Sequence, residues 1–166
     1  SSIFDPDPVV IVEEMPLYWT IHGETPDGDV RIPLGQAHIV RPGTDATLAT
    51  YGGAVHVALK AAEALADKGI SLEIIDLRSL VPLDATTIFS SVRKTGRFVS
   101  LHDATRFCGF GAELTALVSE SCFKDLKAPP RRIAAPDIPV PFTIPQEEFY
   151  KPSVEVVVQT IDNLIA

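Results

Sequence analysis

Cysteine is scarce in this chain, with only Cys108 and Cys122 among 166 residues. Two cysteines cannot build a disulfide framework, so a reducing compartment is the simpler expectation. Basic charge is short as well: 14 Lys and Arg stand against 22 Asp and Glu, for a formal net charge of −8. A surface with that balance repels phosphate backbones and anionic lipid, which argues against nucleic-acid and membrane partners. No apolar run approaches the roughly 20 residues that a spanning helix needs. The opening Ser1-Ser2-Ile3-Phe4-Asp5-Pro6 has neither the basic nor the apolar region of a signal peptide. The four histidines are His22, His38, His56 and His102. None lies three or four residues from another or from a cysteine, so no local metal site is expected. What remains, 46% hydrophobic and 22% charged, is the composition of an ordinary globular domain.

Strand and helix patterns alternate from residue 37 onward. Ala37–Arg41 alternates in polarity and stops at Pro42-Gly43, as an edge strand does. Thr47–Tyr51 reads as a second strand, ending at Gly52-Gly53. Val55, Ala58, Leu59, Ala62 and Leu65 then share a helical face that Lys68-Gly69 closes. Ser71–Leu77 is a third strand. Asp84 is placed to cap a helix carrying Ile88 and Val92, which Gly96 ends. Arg97–Leu101 is a fourth strand, and Ala112–Phe123 a helix with Leu114, Leu117, Val118 and Cys122 inward. Arg131–Ala135 makes a weak fifth strand. Seven of the 14 prolines lie from Pro129 to Pro152, which predicts irregular chain there. Val154–Val158 has strand propensity, but Val154, Val157, Val158, Ile161, Leu164 and Ile165 share a helical face that Ser153 can cap. Alternation of this kind predicts an α/β fold, with a mostly parallel sheet covered on both faces. Ahead of it, Pro8–Glu14 resembles a buried strand. An extended tether follows, broken by Gly23, Pro26, Gly28, Pro33 and Gly35.

Few residues suggest chemistry. Gly52-Gly53 and Gly109-Phe110-Gly111 follow strands and precede helices, where an anion could sit on the helix N-termini. Neither is a dinucleotide fingerprint, because Leu114 stands where the third glycine belongs. Close strand–helix packing is the favoured reading of both. His102-Asp103 ends a central strand, the place where open α/β sheets put functional groups. With Cys108 they would supply nucleophile, base and orienter. Against a hydrolase, Phe107 and Phe110 flank the thiol and no basic cluster activates it. A structural or interface role suits His102 and Asp103 better.

Tyr51-Gly52-Gly53-Ala54-Val55-His56-Val57-Ala58-Leu59 and Ile74–Asp84 resemble one family. It is the carboxy-terminal domain of the β subunit of thiamine-diphosphate-dependent 2-oxo acid dehydrogenases, the E1 components, within the transketolase-like group. Lys94-Thr95-Gly96-Arg97, Gly109–Glu113, Ala128-Pro129 and Pro136–Pro141 continue the resemblance in order, over about residues 8–166. It implies a three-layer α/β/α fold with a five-stranded, mostly parallel sheet and an antiparallel edge strand. Residues 1–15 would be the last strand of a truncated pyrimidine-binding domain, 16–36 a linker, and 37–166 the transketolase C-terminal-like domain.

The activity implied is oxidative decarboxylation of a branched-chain 2-oxo acid or pyruvate, with acyl transfer to the lipoyl group of E2. His102-Asp103-Ala104, Cys122-Phe123 and Glu148–Pro152 lean toward the branched-chain members. Thiamine diphosphate and Mg²⁺ would be held by the E1 α subunit and the missing pyrimidine domain. No catalytic, cofactor-binding or metal residue is therefore assigned within 1–166, and the fragment alone should be inert. The partners implied are the E1 α subunit, a second β subunit and the subunit-binding domain of E2, in the bacterial cytoplasm or alternatively the mitochondrial matrix. E2 would dock near the chain end and the residue before Ala128-Pro129, which points to Asp125, Lys127 and Ala166. Many members carry an acid where this chain has Lys127, and a glycine where it has Ala135. Lost partners would leave Leu17, Tyr18, Trp19, Phe107 and Phe142 uncovered. The alternative from the glycine-rich turns alone is a free-standing α/β module for a nucleotide or phosphate.

Overall fold

Short apolar runs separated by turns assemble here into one mixed sheet with helices on both faces. The computed structural model describes residues 1–24 and 26–166; Thr25, within the expected linker, lies outside the described residues. In chain order the elements are α1 (Leu17–Thr20), β1 (His38–Arg41), β2 (Ala46–Thr50), α2 (Ala54–Ala66), β3 (Leu72–Asp76), α3 (Ala85–Thr95), β4 (Phe98–Thr105), α4 (Phe110–Cys122), β5 (Arg131–Ala135), α5 (Ile144–Tyr150) and α6 (Val154–Ile165). The strand order is β1-β3-β2-β4-β5. β1 runs antiparallel to β3 at one edge, and the other pairings are parallel. The chain leaves β2 for β3 on one side and returns to β4 on the other. The topological switch point therefore lies between the C-terminal ends of β2 and β4.

Strand alternation divides the core in two. Leu48, Leu72, Ile74, Val99 and Leu101 pack under α2 and α6 with Ala58, Leu65, Val157 and Ile161. Ala49, Ile75 and Phe98 face α3 and α4 with Ile88, Val92, Leu114 and Val118. Local signals set the helix ends. Asp84 accepts from the Thr87 amide at 3.1 Å and the Thr87 hydroxyl at 2.7 Å. It also accepts from the Ala37 amide at 3.0 Å, which fastens the entry of β1 to α3. Gly96 ends α3 with φ 76°, and the Ser153 hydroxyl accepts from the Val156 amide to open α6. The valine-rich end is a helix, as its spacing predicts.

Four expectations need correction. Val9–Val12 is not in a strand, and Val10 and Val12 are exposed; an extended run gains little without a partner to take its amides and carbonyls. The tether holds one helical turn, α1. The proline-rich stretch contains α5, because Pro145 sits in the first turn, where its missing amide costs no bond. β4 also runs on to Thr105, so His102 and Asp103 lie within the strand rather than beyond it.

Candidate functional site

The residues singled out by sequence fall at opposite ends of the sheet. At the C-terminal end, His102 points toward α4 and is 1% exposed. Its ring stacks on Tyr51 at 6.2 Å and 16°, and Phe110 meets Tyr51 edge-on at 6.1 Å. Nδ1 lies 3.1 Å from the Ala104 carbonyl, which can only accept, so Nδ1 carries a proton. Burial lowers the imidazole pKa, the charge of Arg132 acts in the same sense, and the Ala104 bond opposes them. The ring is neutral at neutral pH.

Gly109, just ahead of α4, and Gly111 in its first turn leave room for this ring and, at Gly109, for the Thr105 carbonyl. A Cβ on Gly109 would lie 2.7 Å from His102 Cε1, and one on Gly111 2.6 Å from Nε2. Packing therefore accounts for Gly109 and Gly111. With Nε2 against Gly111, His102 is not placed as a base for Cys108, which is exposed.

Asp103, on the opposite side of β4, is half-buried. Burial raises its pKa, nearby Glu14 adds to the rise, and Lys151 partly offsets it. Tyr51 is raised by burial, by Asp103 and by Glu14. Glu14 reaches this corner from the N-terminal segment, and its Oε1 accepts from the Gly53 amide at 2.6 Å. No sequence signal marked Glu14, since its partner is 39 residues away. The anion position on α2 is thus held by a carboxylate of the same chain. A diphosphate there would have to displace it and face Asp103, so thiamine diphosphate does not fit these residues. Nor do they fit Mg²⁺: among the described residues no three His, Cys, Asp or Glu side chains converge.

At the N-terminal end, the turn between α3 and β4 gathers Asp125, Lys127 and the last turn of α6, where E2 is expected to dock. The Lys127 amide donates to the Gly96 carbonyl at 2.7 Å, and its Nζ donates to the Thr95 carbonyl at 3.2 Å. Its ammonium thus caps the negative end of α3. Asp125 Oδ2 lies 3.8 Å from Arg93 Nε on α3. Arg97, the residue after Gly96, donates from Nε to the Leu164 carbonyl at 3.1 Å and from Nη1 to the Asp45 carbonyl at 3.3 Å. That anchors the last turn of α6, two residues before Ala166.

A cavity of about 320 Å³ lies between α3 and the β1 edge, lined by Ile39, Glu73, Thr87, Ser90 and Lys94 among others. Its one carboxylate is out of reach: Glu73 is 1% exposed, with Oε2 held by the Lys94 ammonium and by the Gly43 amide at 3.1 Å.

The profile of the family described as "Transketolase, C-terminal domain" matches residues 35–157. The chain is 46% identical to the 2-oxoisovalerate dehydrogenase subunit beta of Pseudomonas aeruginosa, over 92% of this chain and 47% of that protein. It is 44% identical to the pyruvate dehydrogenase E1 component subunit beta of Bacillus subtilis, over 86% of this chain and 44% of that one. Among solved structures it resembles a split-gene transketolase, an inactive β4 tetramer, with TM-score 0.72 and 25% identity over 86% of this chain and 46% of that one. The chain spans about half the length of the curated relatives it matches.

Proposed function

Since the chain belongs to the transketolase C-terminal domain family, we propose that it is the carboxy-terminal, assembly and docking part of the β subunit of a 2-oxo acid dehydrogenase E1. The single observation that carries this reading is the gathering of Asp125, Lys127 and the end of α6 around one turn, because a docking face must be contiguous. The whole enzyme decarboxylates a branched-chain 2-oxo acid or pyruvate on thiamine diphosphate and passes the acyl group to the lipoyl group of E2. In this reading the cofactor and Mg²⁺ are held by the α subunit and the pyrimidine-binding part of β. Exposed Trp19, Phe107 and Phe142 supply apolar area for α and for a second β subunit. The compartment is the bacterial cytoplasm or the mitochondrial matrix. The competing phosphate-module reading is disfavoured because Glu14 already fills the seat on α2.

Joined to a pyrimidine-binding half and mixed with the α subunit and E2, the chain should support acylation of the E2 lipoyl group, read by mass spectrometry. No acylation with any 2-oxo acid would overturn the reading. By itself the chain should give no calorimetric heat with thiamine diphosphate and Mg²⁺, and a micromolar dissociation constant would move the cofactor into this chain.

The docking face has its own test. The E2 module of this family is usually basic, and Asp125 and the end of α6 are what meet it. Lys127 presents a like charge. In the assembled E1, Lys127→Glu should tighten E2 binding by roughly 1 kcal/mol, mainly through a faster association that fades at high salt. The same change removes the cap on α3 and should lower the stability of the domain by about 1 kcal/mol. Lys127→Met separates the two, since it shares the stability loss but gains only part of the association rate. Weaker binding of Lys127→Glu than of Lys127→Met would mean that E2 carries an acid opposite this position.

A further inference from the structure

We propose that the Gly52-Gly53 turn is a carboxylate seat whose occupant is the chain's own Glu14, so that the N-terminal segment is clasped onto the domain at the switch point of the sheet. The carboxylate lies directly against both glycines. A Cβ on Gly52 would lie less than 3.0 Å from Glu14 Oε1, and one on Gly53 less than 3.0 Å from Oε2, closer than side chains approach. Gly52 also has φ 60°, a conformation that L side chains resist. The Gly53 amide, ahead of the 13-residue helix α2, donates to the carboxylate at 2.6 Å. A charge-assisted bond on the positive end of a helix is the strong form of this contact.

The same residue fixes the direction in which the segment leaves. The Glu14 carbonyl accepts from the Leu17 amide at 3.0 Å, opening α1. The Tyr18 hydroxyl donates to the Glu13 carboxylate. Side chain and backbone of one short stretch therefore hold opposite ends of a single hinge. Asp103 and Tyr51 border the seat, and Asp103 opposes the clasp as a like charge. Whatever precedes Glu14 is delivered to the end of the sheet formed by β2 and β4. This holds irrespective of the reaction the whole protein performs, so it stands or falls separately from the proposed function.

Hydrogen–deuterium exchange on the whole chain tests it. The hydrogen bond of the Gly53 amide in the structure is to Glu14. Glu14→Ala should speed its exchange about tenfold, the loss of one charge-assisted bond. Cleavage between residues 15 and 36 by a nonspecific protease should rise several-fold, with the amides of β2 and β4 unchanged. Gly53→Ala is the second variant. Gly53 has φ −62°, which alanine adopts freely, so this change fills the seat without straining the turn. It should reproduce the protease sensitivity of Glu14→Ala, and the double variant should be no more sensitive than either alone. Asp103→Asn, which removes the opposing charge, should slow both readouts below the parent. Unchanged Gly53 exchange in Glu14→Ala, or a purely additive double variant, overturns the clasp.

Discussion

Lys94→Ala should destabilise the domain by about 3 kcal/mol at neutral pH, far more than the loss of an exposed lysine normally costs. The reason lies beneath it. Glu73 of β3 faces α3 and is 1% exposed, so its carboxylate is cut off from water. Oε2 is held by the Lys94 ammonium and the Gly43 amide, while Oε1 is buried without a partner among the described residues. Removing the ammonium strands a buried charge, the costly direction in which to break such a pair. The expected loss sits at the low end of the buried-pair range because the Lys94 side chain is 46% exposed and water can partly replace it.

The pH dependence gives this prediction its sign. In the parent, burial pushes the Glu73 pKa up, but the Lys94 ammonium, the nearby Ser91 hydroxyl and the Gly43 amide outweigh it and hold the group below its ordinary value. A lowered carboxyl pKa contributes stability above the ordinary value, and that contribution is lost as pH falls through the lowered one. In Lys94→Ala burial remains and the main counterweight is gone, so the Glu73 pKa should move above the ordinary value. The variant then recovers stability on acidification, because the neutral acid tolerates burial. Urea midpoints of parent and variant should draw together as pH falls from about 8 to about 5. A deficit that stays constant over that range would show that the pair is not the cause. Replacing both partners, as Glu73→Leu with Lys94→Met, should return most of the stability.

How much was legible in the sequence follows from how far apart the interacting groups lie. The Asp84 and Ser153 caps, the Gly96 stop and the helical face of α6 are signals within three or four residues, and each stands where the pattern placed it. The sheet followed from strand–helix alternation. The orientation of β1 did not, since only pairing with β3 sets it, and it came from the family resemblance. Val9–Val12 misled for the same reason, because strand propensity says nothing about whether a partner exists. Pro145 hid α5, as a proline bars a helix interior but not its first turn. At the candidate sites, Lys127 was visible as a departure from the family pattern, while its bond to the Thr95 carbonyl joins residues 32 positions apart. Glu14 left no trace at all, since its glycine partners have a sufficient local explanation as a strand–helix turn.

The same ambiguity attends Gly111, and a substitution resolves it. Gly111→Ala should cost about 2 kcal/mol, although alanine is the better helix former by roughly 1 kcal/mol. The added methyl would lie 2.6 Å from both His102 Nε2 and Ser100 Oγ, and 2.9 Å from His102 Cδ2. His102 cannot retreat easily, because its other face stacks on Tyr51 and its Nδ1 is bonded to the Ala104 carbonyl. His102→Ala alone should cost about 3 kcal/mol, through the cavity it opens and the carbonyl it leaves without its side-chain donor. If Gly111 is glycine because of the ring, the two costs cannot add. Once the imidazole is gone the methyl introduced by Gly111→Ala projects into vacated space, so the double variant should be more stable than the sum by about 1–2 kcal/mol. Relief stays partial because the Ser100 hydroxyl still crowds the methyl. A glycine kept for an anion at the start of α4 predicts the opposite: the methyl would block the anion whether or not His102 is present. The two changes would then be additive in stability, and phosphate would stabilise the parent but not Gly111→Ala. Denaturant midpoints of the four proteins, with and without phosphate, decide between packing and binding, and strict additivity would sink the packing account.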